Sequence, residues 1–264
     1  MTGGTEAVKN AIEDAVRKAA AGKNIAVAFS GGLDSGILAA LTMKHASGYS
    51  LYTVGTTGSS DVRTAASYNN EFRSHWVHIS LDERRVLEGL RSIISITGVK
   101  DPVTLSFEIP LYFVCKECRE KDIFTGQGAD ELFGGYSKYI NLKEEDLKNM
   151  ISEDLKKLRE STLICERKIA EFFKKSIHHP FTDASVVTTV NDLGVGEIKS
   201  TDDPASRKRI LREVAVSMGY PEIASMDKKA AQYGSGAMTV IKRICKSKGI
   251  TYSELIEKIA AGEI

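Results

Sequence analysis

The sequence predicts an α/β protein, a doubly wound parallel sheet with a mostly helical C-terminal half. Three observations carry this. A short apolar run, Ile25 to Phe29, passes directly into a glycine turn and then a helix. The strand and helix pattern repeats downstream, and a second glycine-bearing turn follows another short apolar run at Asp122 to Thr125. Apolar runs this brief suit strands buried on both faces, and strand–turn–helix order is the first half of a parallel βαβ unit.

Taken in order, Glu6 to Ala20 places Val8, Ile12, Ala15, Val16 and Ala19 at three- and four-residue spacing with charges between, an amphipathic helix closed by Gly22. The strand Ile25 to Phe29, the turn Ser30 to Ser35 and the helix Gly36 to His45 follow. Ser50 to Gly55 and Ser74 to Ser80 read as strands flanking a helix over Asp61 to Phe72. Helices are predicted at Val86 to Gly98 and Glu108 to Glu120, ahead of the strand Asp122 to Thr125. From Lys143 to Lys175 dense mixed charge, with Leu147, Ile151, Leu155 and Leu158 at helical spacing, predicts an exposed helix laced with ion pairs. Further helices are expected at Ala205 to Met218, Gly236 to Lys248 and Ser253 to Ala260, the last opened by a Thr251/Glu254 capping box. The natural division is a nucleotide-binding core over 1–140 and a helical half over 141–264 that completes the site, within one continuous unit.

The 264 residues are 42% hydrophobic and 27% charged, which excludes a disordered or fibrous chain. Lys plus Arg number 36 against 35 Asp plus Glu, so no global charge favours nucleic acid or an anionic membrane. No apolar run approaches the roughly 18 to 20 residues that cross a bilayer. Four cysteines make no disulfide framework, and the N-terminus lacks a signal-peptide pattern, so the cytoplasm is the expected compartment.

The strongest chemical signal is Ser30-Gly31-Gly32-Leu33-Asp34-Ser35 between strand and helix. Its glycines let backbone N–H groups form an anion nest, and the helix N-terminus adds its dipole, so phosphate belongs there. The lysine of a GxxxxGK[ST] loop is missing and an aspartate sits inside the turn, which implies Mg²⁺ between Asp34 and the phosphates. The second signal is Thr125-Gly126-Gln127-Gly128-Ala129-Asp130-Glu131-Leu132-Phe133-Gly134-Gly135-Tyr136. In a parallel sheet it falls on the same edge as the first, so Asp130 is expected to complete the Mg²⁺ site begun by Asp34.

SGGLDS followed about ninety residues later by GQGADELFGGY resembles the synthetase domain of asparagine synthetases and their β-lactam synthetase relatives, among the pyrophosphate-loop ATP pyrophosphatases, whose sheet is adenine nucleotide α-hydrolase-like. Weaker similarity runs through Val54-Gly55, Ser106 to Tyr112 with Pro110, His179-Pro180-Phe181-Thr182-Asp183, Lys208 to Glu213, and Lys229 before Tyr233-Gly234. The resemblance implies ATP-driven activation of a small carboxylate as its adenylate, with loss of pyrophosphate and attack by an amine. It also implies roles: Ser30, Gly31, Gly32 and Ser35 on the pyrophosphate; Asp34 and Asp130 on Mg²⁺; the backbone around Phe29, Val54, Gly55, Thr125, Gly126 and Gln127 near the nucleotide; and Lys229 or its neighbour Lys228, with Asp130, in catalysis.

The departures are as specific as the matches. Asparagine synthetases usually carry glutamate where this chain has Gln127, and a neutral amide cannot accept a proton. The VEVRVPFLD pattern of the family is replaced by Lys175-Ser176-Ile177-His178-His179-Pro180-Phe181-Thr182-Asp183. The glutaminase half of the family is not expected here, so nitrogen would come from ammonia, another amine or a separate glutaminase subunit, and a homo-oligomer is expected. Cys115-Lys116-Glu117-Cys118, with Cys165, offers an alternative, a metal or iron–sulfur cluster in a tRNA-thiolating enzyme of the superfamily, against the plainer reading of small buried helix residues. A nucleotide-binding regulator without catalysis is the third reading.

Overall fold

The computed structural model describes residues 3–72, 75–198, 201, 206–226 and 231–264. Its N-terminal part runs α1 (Gly3–Ala20), β1 (Asn24–Ala28), α2 (Leu33–His45), β2 (Gly48–Gly55), α3 (Ser60–Phe72), β3 (His75–Ser80), α4 (Glu83–Thr97), α5 (Pro102–Glu117), β4 (Asp122–Phe124) and α6 (Ala129–Leu132). There follow α7 (Glu144–Lys157), α8 (Leu163–Phe172), β5 (Ser176–His178), α9 (Ala184–Leu193), α10 (Val195–Ile198), α11 (Arg209–Ser217), α12 (Pro221–Ala224), α13 (Ala231–Gly234), α14 (Ala237–Lys248) and α15 (Tyr252–Ala260).

The five strands form one sheet in the order β3-β2-β1-β4-β5, and every pairing is parallel. Alternation along β1 sends Ile25 and Val27 into one core cluster and Ala26 into the other, as a strand covered on both faces requires. The first cluster joins the sheet to α1, α2, α9 and α11 through Val8, Ile12, Leu38, Val186 and Leu211. The second joins it to α4, α5, α14 and α15 through Leu90, Phe113, Ile241 and Leu255. Both clusters draw on residues before and after 140.

Three elements differ from the sequence expectation. Helix α5 begins at Pro102, not Glu108, because Asp101 caps it by accepting from the Thr104 N–H (2.7 Å) and hydroxyl (2.8 Å), with Pro102 in the first turn. Pro110 lies inside the helix, and Glu108 is therefore mid-helix and buried, not a solvated first-turn acid. The charged stretch over 143–175 is two helices, α7 and α8, joined by a π-helical turn over Leu158–Thr162. Leu147, Ile151, Leu155 and Leu158 are buried along it. Ser176 to His178, read as loop, forms β5 on β4; three residues after a lysine pair are too short to announce a strand. The expected strand over 122–125 ends at Phe124, and the helix expected from Ala205 is observed from Arg209, Ala205 and Ser74 lying outside the described residues.

Candidate active site

The strand order reverses at β1, with β2 on one side and β4 on the other, so the crevice where open α/β sheets hold ligands lies beyond the carboxyl ends of β1 and β4. Both sequence motifs emerge there. After β1 the chain turns through Ser30 to Gly32 and enters α2 at Leu33. Gly31 has φ +76°, and a Cβ on it would come within 2.8 Å of the Ala65 N–H nitrogen, so the loop packs against α3 with glycine alone fitting. The Ser30 N–H donates to Ser35 Oγ (3.2 Å), the Gly32 N–H to Ser30 Oγ (3.3 Å), and the two hydroxyl oxygens stand 3.1 Å apart. Hydroxyls and N–H groups thus converge over the N-terminus of α2, suited to an anion.

Asp34 on α2 and Asp130 on α6 are brought together, as expected, but around a residue to which the sequence assigned no role. Lys208 Nζ lies 2.6 Å from Asp34 Oδ2 and 2.5 Å from Asp130 Oδ1, and its side chain is 5% exposed. Burial alone would push the ammonium down, yet the two carboxylates outweigh it and hold its pKa above the ordinary lysine value. Gly135 makes room, since a Cβ there would meet Asp130 Oδ1 at 2.0 Å and Lys208 Cε at 2.5 Å. Lys208 itself, just before α11, has φ +54°.

A cavity of about 470 Å³ opens along these elements. Phe29, Ser30, Asp34, Ser35, Val54, Thr125, Gly126, Gln127 and Asp130 all line it. Gly31 and Gly32 shape the loop behind Ser30, and Gly55 instead abuts Ser59 and Ser235. Lys228 and Lys229 lie outside the described residues.

The same cavity is walled by two acids the sequence reading passed over, Glu108 from α5 and Glu166 from α8, which are 1% and 2% exposed. Gln127 Nε2 donates to Glu166 Oε1 at 2.6 Å. Burial pushes Glu166 up to about 8, opposed by the Gln127 hydrogen bond and aided by Glu131; burial and the neighbouring Glu166 push Glu108 well up as well. His179 Nδ1 meets Thr125 Oγ1 at 2.9 Å and Glu166 Oε2 at 3.4 Å. Burial lowers that ring to about 4, so it is neutral at pH 7 and provides no cation for Glu166. The signal was there to be read: Glu108 is the lone charge in the run from Val103 to Val114. His178, beside it, bonds Asp122 at 2.7 Å on the sheet edge.

A consequence for stability follows from Glu166. The folded protein holds a proton there that the unfolded chain releases near 4.5, so stability falls as pH rises between about 4.5 and about 8. Glu166→Gln should flatten that fall and raise the melting temperature at pH 8 relative to pH 5; thermal scans across the window that superpose on those of the native protein would refute it.

The thiols behave as core residues. Cys115, Cys118 and Cys165 are buried, Cys118 just past the end of α5, and burial pushes Cys118 up to about 11 and Cys165 up to about 12. No group of three or more His, Cys, Asp or Glu side chains suited to a metal occurs among the described residues.

Fold and loop define a nucleotide-binding protein of the open parallel-sheet class. The model of the asparagine synthase family matches residues 7–148, more than half of the chain, and the protein belongs to that family of ATP-dependent ligases. It is 27% identical to a candidate glutamine-hydrolysing asparagine synthetase of Methanocaldococcus jannaschii over 96% of this chain and 53% of that protein. With the glutamine-hydrolysing asparagine synthetase B of Escherichia coli it shares 28% identity over 57% of this chain and 30% of the other. The chain thus spans about half, or less, of the length of these relatives. A solved structure described as a predicted subunit of a tRNA methyltransferase from M. jannaschii aligns over 79% of this chain and 94% of the other, at 17% identity and a TM-score of 0.35. Among the described residues no helix is long and apolar enough to cross a membrane.

Proposed function

We infer that the protein adenylates a small carboxylate with ATP and passes the acyl group to ammonia or an amine, forming an amide and releasing AMP and pyrophosphate. The observation that carries this is the convergence of the Ser30–Ser35 loop with Asp34, Asp130 and Lys208 on one cavity. The loop hydroxyls and N–H groups of Ser30, Gly31, Gly32 and Ser35 would hold the leaving pyrophosphate. Phe29, Val54 and Gly126 would flank the adenosine, with Gly55 and Thr125 supporting that wall.

Two carboxylates that already close on one cation are a donor set suited to Mg²⁺, which takes hard oxygen ligands and completes its shell with water and substrate phosphates. Asp34 and Asp130 would hold it, and its charge would offset that of the phosphates. Lys208 restrains the two carboxylates at a common point. We assign to Lys229, with Lys228 as the neighbouring candidate, the stabilisation of negative charge that develops on the phosphoryl oxygens as the adenylate forms.

We further propose that the 1–140 core and the 141–264 half act as one unit in the cytoplasm, with nitrogen from free ammonia, an amine or a separate glutaminase subunit. With Gln127 in place of the usual glutamate, the acceptor acid need not be aspartate. The test is a pyrophosphate-release screen over candidate carboxylates with ammonium and Mg²⁺. AMP and pyrophosphate should appear in equal amounts with the right acid; ADP and inorganic phosphate as primary products would overturn the reading.

A further inference from the structure

The Gln127 departure leaves the usual glutamate position without a proton acceptor, yet the structure brings another carboxyl to the same place. Glu166 Oε1 sits 2.6 Å from Gln127 Nε2, delivered from α8 instead of from the motif itself. Glu108 stands beside it on α5, its own oxygens meeting no protein donor in hydrogen-bond geometry, with only the Cys165 thiol and Glu166 facing it. Both acids are almost fully buried, and both line the cavity that holds the phosphate loop. Buried acceptors without donors are costly, and a ligand that carries N–H groups is what satisfies them.

We propose that Glu108 and Glu166 form the nitrogen subsite of this cavity, which takes ammonium or a primary ammonium, and that Glu166 accepts the proton lost when the amide bond forms. The inference rests on the adenylation reading above for the second half only; the binding of a cationic amine stands on the cavity itself. An ammonium entering this apolar setting gives up its first proton to solvent. The neutral nitrogen then forms the C–N bond, the C–O bond to AMP breaks with AMP taking the electron pair, and the second N–H proton passes to ionised Glu166. Gln127 fixes the carboxylate through Oε1 and leaves Oε2 for the nitrogen.

The groups facing the pair are few. From α8 comes Cys165; from the loop and helix after β4 come Gln127 and Glu131; after β5 comes the neutral His179. None of them supplies a positive charge, so an incoming ammonium is the cation of the site.

Two measurements test this. Infrared difference spectra of the native protein, with ammonium chloride or methylammonium chloride against potassium chloride, should show loss of a buried protonated-carboxyl band, and Glu166→Gln should lack that loss. ATP–pyrophosphate exchange driven by the acceptor acid should stay within about twofold in Glu166→Gln, while amide formation falls about a hundredfold, the usual scale for a removed general base. Ammonium that leaves the band unchanged overturns the subsite even where exchange is intact. Band loss in a protein that shows no exchange with any acid keeps the subsite and overturns adenylation. Equal loss of exchange and amide formation would make Glu166 merely structural and overturn its proton role. Should Glu166→Gln fail to fold, Glu108→Gln carries the same comparison, and the native spectra need no variant.

Discussion

Lys208→Met should be the most damaging single substitution in the protein. It removes the buried ammonium that stands between Asp34 and Asp130 and leaves two carboxylates facing one another across a gap shaped by Gly135. Removing one partner of a buried charge cluster costs about 3 to 5 kcal/mol, because the remaining charges lose their compensation. Millimolar Mg²⁺ should recover part of the lost melting temperature in Lys208→Met and shift the native protein less, since the cation takes the place of the ammonium between the two acids. Lys208→Met combined with Asp130→Asn should be more stable than Lys208→Met alone, as the repulsion is then gone. A melting temperature for Lys208→Met that matches the native protein, with no response to Mg²⁺, would show that the lysine does not hold the pair.

The second large effect concerns Lys229. If its charge is used chiefly as the adenylate forms, Lys229→Met should lower turnover by about a hundredfold or more with little change in ATP affinity. Lys228→Met should leave turnover near native. Steady-state pyrophosphate release and nucleotide titration on the two variants separate the cases, and the reverse pattern would transfer the role to Lys228. Loss of ATP affinity in step with turnover would instead make Lys229 a ground-state binding residue.

The sheet and its nucleotide edge could be read from the sequence because both are local. Ile25 to Phe29 with Ser30 to Ser35, and Asp122 to Thr125 with Gly126 to Gly135, each announce a buried strand and the turn at its end; parallel pairing does the rest by putting the two turns side by side. The contacts made through distant parts of the chain could not be read this way. Lys208 reaches Asp34 across 174 positions and carries no local signature of a bridge. Glu108 was hidden by a misplaced helix start: at the head of a helix an acid is solvated and favoured by the dipole, whereas two turns into α5 the same residue is walled in. Glu166 sat in a stretch whose charges nearly cancel and so read as a solvated face. The edge strand β5 is defined by its partner β4, since Ser176 to His178 has no strand pattern of its own.

The π-helical turn between α7 and α8 sets the aim of everything after it. Leu158, Thr162 and Glu166 all reach the cavity, with the first two inside that turn and the acid one turn further on. A π turn accommodates one more residue than a regular turn, and each residue of helix is about 100° of rotation. Chain length at this point therefore works as an angular setting: a one-residue shortening that restores regular helix would swing Glu166 out of the cavity and bring Cys165 or Arg167 round toward it, with no change in the loops that grip the nucleotide. Within one fold, the choice of nucleophile could thus diverge by insertion or deletion in a helix while the chemistry on ATP stayed constant.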